Sequence, residues 1–291
     1  MSGLAHQLPE YRIGLDIRRD AITAVRIRQD NPLDPARLVV GRTADAAPDL
    51  LAQVLAVCGH AHRAAARGAV AQARGAVADD GGLRDRARAV LEERLLNGVW
   101  RLAIDWPRAL GSAERPDLIV RVRRATSGQG TTSGPDDLEA VVDQIDRTGL
   151  QAAFEAASVA RAQPEPGARA DRDPSLIADR IAEGFAEPAR AVADLAALLG
   201  GGRPDPLASG EAGVVMTSRG RLTHACRLSG DRIADYRIEA PTDVLLAPGG
   251  PLAAALLSLR GSDLADRARL VTAIFDPCAP VRFERLEPAD A

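Results

Sequence analysis

Residues 11–28 read YRIGLDIRRDAITAVRIR, and this stretch decides the class of fold. Its apolar side chains stand at every second position, in one run over 13–17 and in another over 23–27, with Arg19-Asp20 between the runs. Such alternation is typical of β-strands, and a polar pair between two short runs is typical of a tight turn. The stretch therefore predicts an N-terminal β-hairpin.

Beyond this hairpin the pattern is mostly helical, and it returns to strands only near the C-terminus. The spacing of apolar residues predicts helices at 45–75, 83–106, 136–162, 175–199, 251–259 and 263–274. It also predicts a short strand at 118–122, and strands within 213–238 that turn at 229–231. This order predicts a helix-rich α+β fold with a small C-terminal antiparallel sheet.

The chain is expected to form a single domain over residues 1–291. Three segments rich in Gly, Pro, Ser or Asp interrupt the helical pattern, and they predict mobile loops at 125–135, 163–174 and 200–210.

The composition excludes several classes of function. The chain has 291 residues, 46% of them hydrophobic, and a formal charge of −3, so nothing calls for nucleic acid or an anionic membrane as a partner. Every basic residue is Arg, which excludes a Walker A lysine and a pyridoxal phosphate Schiff base. No apolar stretch has the length of a signal-peptide core or a membrane span, so we expect a cytoplasmic protein.

The segment from Cys58 to His62 carries the first candidate site. If the segment is helical, Cys58 and His62 are one turn apart on one face, where a thiolate and an imidazole could bind one metal. Gly59 would let another chain or a ligand approach the backbone closely. The alternative is that Cys58 is a small core residue on an apolar stripe.

A second candidate is Asp276-Pro277-Cys278, where the proline holds the thiol of Cys278 in a set direction. Arg219 precedes a glycine and lies either in a surface turn or in a cleft. Thr242 follows Pro241 and could simply end a strand. His224 and Cys226 share a strand face with apolar residues, which favours a role in the core.

Taken in order, these segments resemble the large subunit of nickel–iron hydrogenases. That family has R-I-E-G-H, a C-G-x-C helix, A-P-R-G-x-L-x-H, a D-G-K-I turn, P-T-T or P-S-T, and S-F-D-P-C-x-x-C-x-x-H. The corresponding stretches here are 12–14, 58–61, 218–224, 230–233, 241–242 and 274–278. The resemblance rests on the two ends of the chain.

The departures from the family pattern concern its catalytic groups. In the catalytic subunit four cysteines hold nickel, and two of them also bridge to iron. At the bridging positions this chain has Ala61 and Val281, while Cys58 and Cys278 remain at the other two. Glu284 replaces the histidine before the maturation cleavage site, and the glutamate of R-I-E-G-H has no counterpart. No nickel is therefore expected.

Hydrogenase assembly proteins of the HupK/HoxV type have this pattern, and the chain is also similar to them in its C-G-x-A-H segment and at 104–107. The resemblance implies a scaffold, not an enzyme, that transiently holds iron with its cyanide and carbon monoxide ligands. Its partners would be hydrogenase maturation factors and the large-subunit precursor. Two alternatives are a divergent hydrogenase-like catalytic subunit and a metal-free docking protein for the same machinery.

The resemblance also assigns roles within the site. Cys58 and Cys278 would bind the iron, and His62 or water would take a remaining position. Arg219 and Thr242 stand where the catalytic subunit binds its cyanides, and a guanidinium and a hydroxyl can both donate to a cyanide nitrogen. Cys58 and Cys278 are therefore expected to lie close together in the fold.

Overall fold

The computed structural model describes residues 10–30, 34–76, 82–127, 135–157, 173, 175–202 and 212–286. Most of the described chain is helical, and six strands form two small sheets. The strands are β1 (Glu10–Arg18), β2 (Ala21–Asp30), β3 (Val214–Thr217), β4 (Gly220–Ser229), β5 (Arg232–Glu239) and β6 (Val281–Arg285). The α-helices are α1 (Pro35–Val39), α2 (Ala47–Val54), α3 (Gly59–Ala73), α4 (Leu83–Trp100), α5 (Trp106–Leu110), α6 (Pro116–Thr126), α7 (Pro135–Asp143), α8 (Arg147–Ala156), α9 (Ser175–Leu199), α10 (Pro241–Leu245), α11 (Pro251–Leu257) and α12 (Leu264–Phe275).

The first sheet joins the two ends of the chain. β1 and β2 form an antiparallel hairpin that places Ile13 opposite Ile27, and β6 adds to the other edge of β1 in a parallel register. Ile13 and Ile27 are buried in the main core as the pattern predicts. Near the turn Ile22 is buried and Thr23 is exposed, because the register shifts between Asp16 and Ile17. The sequence analysis did not predict β6, because a parallel partner about 270 residues away leaves no local signal.

The second sheet has the order β3-β4-β5 and is antiparallel throughout. The turn between β4 and β5 contains Gly230, whose φ of +60° is a conformation that glycine adopts without strain. Residues 218–219 link β3 to β4 as a two-residue hairpin loop. The broad prediction of a helix-rich chain with small sheets is therefore confirmed.

Four of the predicted elements differ from the structure, three of them by a break or by a change of type. The helix predicted at 45–75 is broken into α2, a 3₁₀ turn over Ala56–Cys58, and α3. The predicted strand at 118–122 is wrong, because it is part of α6: Pro116 starts the helix, and Leu118, Ile119 and Val122 bury one helical face. The helix predicted at 136–162 is interrupted between α7 and α8 in its described part.

The helix predicted to stop at Pro107 continues past it. After α4 the chain forms a five-residue π-helix, Arg101–Asp105, and then α5, in which Pro107 takes one of the first two positions. A proline is tolerated there because the first turn of a helix needs no N–H from it. Trp106 anchors this region: it is fully buried, and Phe154 and Phe185 pack edge-on against its ring.

Helix α9 matches its predicted limits and contains Pro188 in its interior. It packs along α4 and closes against Trp106 at Gly184, where a Cβ atom would come within 2.4 Å of the indole ring. This close contact fixes the π-helix, and therefore Arg101, relative to the core.

Most of the three predicted mobile loops, namely residues 128–134, 163–172, 174 and 203–210, lie outside the described residues. The described parts at the edge of the first loop are helical, since α6 ends at Thr126 and α7 begins at Pro135. Within the described part of the chain, no helix combines the length and the apolar character that crossing a membrane would require.

Candidate functional site

Cys58 is the last residue of the 3₁₀ turn that breaks the predicted helix, and it takes the N-cap position of α3. Its side chain is buried, and its Sγ atom lies 3.5 Å from Nη1 of Arg219, which donates to it. The close backbone approach predicted at Gly59 comes from within the chain: a Cβ atom there would be 2.9 Å from the carbonyl oxygen of Ala52 in α2. The glycine thus lets α2 pack against the turn that presents the thiol.

Glu93 supplies the cap that Cys58 does not. Side chains at an N-cap usually accept hydrogen bonds from the second and third residues of the helix, but Cys58 makes no such bond. Instead, the Glu93 carboxylate on α4 accepts from the backbone N–H of His60 at 2.7 Å and of Ala61 at 3.0 Å. Burial raises the pKa of Glu93 to about 7, and the two N–H donors partly oppose that shift. The sequence analysis missed Glu93, since nothing local marks it.

Cys278 is held by Thr242 at the start of α10. The backbone N–H of Cys278 donates to Thr242 Oγ1 at 3.2 Å, and that same oxygen lies 2.9 Å from Cys278 Sγ. A hydroxyl has one proton and two lone pairs, so either the Thr242 hydroxyl or the Cys278 thiol can donate in this contact. Thr242 is buried and lies in the first turn of a helix, so it does not end a strand.

Asp276 gathers two buried arginines. It ends α12 in the left-handed region, with φ at +50°. Its carboxylate accepts from Arg101 at 2.7 Å and from Arg219 at 3.1 Å, while its carbonyl oxygen accepts from Arg219 Nε at 2.9 Å. The side chains of the three residues are only 6–12% exposed. Arg219 thus lies in a cleft and links the segment of Cys58 to the segment of Cys278.

The charges of this cluster do not cancel, because two guanidinium ions face one carboxylate. Burial disfavours the charge on Arg219, but Asp276, Cys58 and Cys278 together outweigh burial, and the pKa of Arg219 lies above its ordinary value. Arg101 was not predicted as a site residue, since nothing in the sequence shows which of the 37 arginines become buried. These three side chains alone carry one excess positive charge, and Glu93 and Asp105 also interact electrostatically with Arg219.

The thiol of Cys58 is protonated in this environment. Burial raises its pKa to about 12, and Arg219 lowers it less than burial raises it. The Cys278 thiol is among the groups that raise the pKa of Cys58, which puts the two sulfur atoms within electrostatic reach of each other. The structure therefore brings together Cys58, Cys278, Arg219 and Thr242.

His62 has its own buried partners. Its Nδ1 lies 2.9 Å from His224 Nε2, and His224 Nδ1 lies 2.8 Å from the hydroxyl of Tyr236. Burial lowers the pKa of His62 to about 4, so the ring is neutral. No group of three or more His, Cys, Asp or Glu residues within the described ranges is arranged to hold a metal, so His62 does not join the two cysteines in a preformed three-ligand cluster.

The two positions at which the family has bridging cysteines are occupied here by residues of the core and of the first sheet. Ala61 is buried among apolar residues that include Cys58 and Leu222. Val281 begins β6 and pairs with Tyr11 of β1. The Tyr11 hydroxyl, 3.5 Å from Asp243, has its pKa raised to about 12 by burial, with contributions from Asp243 and Cys278. The N-terminal hairpin thus closes one side of the site.

Comparisons with known proteins give two relatives and a shared fold. No protein-family profile matches the chain. It is 27% identical to the hydrogenase expression/formation protein HupK of Rhizobium leguminosarum bv. viciae, over 96% of this chain and 98% of that protein. It is also 27% identical to the hydrogenase expression/formation protein HupK of Rhodobacter capsulatus, over 91% of this chain and 95% of that protein.

Among solved structures, the chain resembles one from the Ni-Fe-Se hydrogenase of D. vulgaris Hildenborough. The TM-score is 0.64 and the sequence identity 12%, and the match covers 91% of this chain and 95% of that chain. At that identity the likeness establishes the fold alone. Together with the two relatives, it agrees with the resemblance carried by the motifs, which is to HupK-type proteins and to the hydrogenase large subunit.

Proposed function

We propose that this chain is a non-enzymatic maturation protein for nickel–iron hydrogenase, which holds the iron–cyanide–carbonyl fragment and then releases it. Both relatives are named as hydrogenase expression/formation proteins. The observation that carries the proposal is the convergence of Cys58 and Cys278, from opposite ends of the chain, on the Arg219–Asp276 pair. Its partners would be maturation factors and the precursor of the hydrogenase large subunit.

The donor set suits such a cargo. Thiolates are soft ligands, and low-spin iron that carries cyanide and carbon monoxide favours them. Two protein thiolates leave the other positions to the diatomic ligands, and the remaining position to water or to His62. With Ala61 and Val281 in place of bridging cysteines, nickel would lack two of its four thiolates. Few protein ligands also suit a carrier, since its cargo must leave.

The charge of the site suits an anionic cargo. Two thiolates and bound cyanide would place negative charge beside Cys58 and Cys278, near the guanidinium ions of Arg101 and Arg219, which share Asp276 as their ion-pair partner. Charge-assisted donors of this kind form strong hydrogen bonds to anionic acceptors. Arg219 would donate to a cyanide nitrogen, and Thr242 would stabilise the thiolate of Cys278 or a neighbouring ligand.

Infrared spectroscopy tests the proposal. Protein purified without oxygen from cells that make the whole hydrogenase assembly machinery is expected to contain iron and to show cyanide and carbonyl bands, without stoichiometric nickel. A protein without iron or bands would instead be a metal-free docking protein. One nickel per chain together with hydrogen-dependent dye reduction would identify a divergent catalytic subunit.

Iron uptake is expected to strengthen as pH rises. The Cys58 thiol must lose its proton to bind metal, and burial holds its pKa at about 12, so the proton is still present at pH 6.5–8.5. Release of the Cys58 proton alone should therefore lower the apparent Kd for ferrous ion roughly tenfold for each unit that the pH rises. Anaerobic competition with a chelator at three pH values measures it, with Cys226→Ser as the control that keeps the slope. A Kd that does not change with pH would contradict ligation by the buried thiol.

A further inference from the structure

The loop between β3 and β4 is buried, although hairpin loops usually lie at the surface. Its two residues are Ser218, which is 6% exposed, and Arg219. Thr217 holds the loop: its hydroxyl donates to the carbonyl oxygen of Gly220 at 2.8 Å and accepts from the N–H of Arg219 at 3.1 Å. These two hydrogen bonds hold the tip of the hairpin in one conformation at the site.

Ser218 lies between the two arginines of the cluster. Its carbonyl oxygen accepts from Arg101 Nη2 at 3.3 Å, and the next residue, Arg219, reaches Cys58 and Asp276. Its hydroxyl oxygen, however, is buried and has no hydrogen-bond partner in the part of the chain that the structure describes. A buried hydroxyl without a partner costs folding free energy, so its presence beside the site calls for an explanation.

We propose that the Ser218 hydroxyl is a binding group for the cargo, which donates a hydrogen bond to a diatomic ligand of the iron held between Cys58 and Cys278. The assignment rests on the proposed function. A serine hydroxyl is small and can rotate toward an acceptor that arrives with the cargo. The site would then offer a neutral donor next to the charged donors of Arg219.

The test compares Ser218→Ala with Thr217→Val, its neighbour in the same hairpin. In protein free of iron, Ser218→Ala is expected to unfold at the wild-type temperature or slightly above it, because it removes a hydroxyl that bonds to nothing. Thr217→Val should lower the unfolding temperature by a few degrees, because it removes a buried hydroxyl with two partners. Calorimetry at one protein concentration measures both.

In iron-loaded protein, Ser218→Ala is expected to keep its iron but to shift one cyanide or carbonyl band relative to wild type. If iron-free Ser218→Ala unfolds at a temperature as low as that of Thr217→Val, the assignment is wrong. The Ser218 hydroxyl would then have a partner, such as water, in the protein that carries no cargo. Unmoved bands in a loaded variant would overturn it while leaving the proposed function intact. Wild-type protein without such bands would overturn both.

Discussion

Cys58→Ser and Cys278→Ser are each expected to abolish the accumulation of iron on this protein, together with its cyanide and carbonyl bands. A serine hydroxyl is a hard ligand and stays protonated because of its high pKa, so it replaces a thiolate poorly on low-spin iron. With two protein thiolates available, the loss of one removes half of the donor set. Iron content and infrared absorption of matched proteins from one strain measure the effect.

Cys226→Ser is the matched control. Its sulfur lies 3.4 Å from the carbonyl oxygen of Ala69 and has no contact with the site in the described structure, so the change should alter packing only, by about 1 kcal/mol. Arg219→Ala should be intermediate, with iron retained but cyanide bands shifted. If the Cys58 and Cys278 variants are folded and keep the cyanide and carbonyl bands at full strength, the iron does not bind at this site. The hypothesis of a docking protein would then be the better one.

Asp276→Ala is expected to destabilise the protein by about 3–5 kcal/mol, because it removes the carboxylate that pairs directly with two buried guanidinium ions. Alanine is also disfavoured at a φ of +50°, which aspartate and asparagine tolerate better. Asp276→Asn keeps that tolerance and one acceptor oxygen, so it should lose less stability. Urea unfolding at pH 7, followed by circular dichroism, separates the contribution of the charge from that of the backbone.

An exposed ion pair provides the comparison for this prediction. Asp117 pairs with Arg115 at 2.8 Å, but both side chains are about half exposed. Asp117→Ala should therefore hardly move the urea midpoint, since solvent screens such a pair. If Asp276→Ala shifts the urea midpoint of unfolding as little as Asp117→Ala does, other groups neutralise the buried arginines.

Patterns repeated over a few residues were enough to locate the elements that depend on local structure. The alternation in 13–17 and 23–27 located the hairpin, and helical spacing located α9 to the residue. The error at 118–122 has a physical cause. Ile119 and Val122 favour strands in isolation, but packing of their helical face against the core outweighs that intrinsic preference.

Some residues of the candidate site could also be predicted from local sequence motifs, and others could not. Cys58, Cys278, Arg219 and Thr242 were identified in advance, because each lies in a short motif whose order along the chain resembles a known family. Glu93 lies in the charged helix α4 and Arg101 in the π-helix that follows it, and neither stretch of sequence contains a sign of a partner. Their roles became visible only through contacts with residues 32–33 and 175 positions away.

By itself, then, the sequence determined the hairpin and the main helices, and it showed cysteine at two of the four family positions, with Ala61 and Val281 at the other two. Only the tertiary structure decided that β6 pairs with β1, that Asp276 gathers two arginines, and that Ser218 is buried beside them. The physical reason is that backbone periodicity is set by neighbours along the chain. The neutralisation and the pKa of a buried charge depend on which distant side chains packing brings to it.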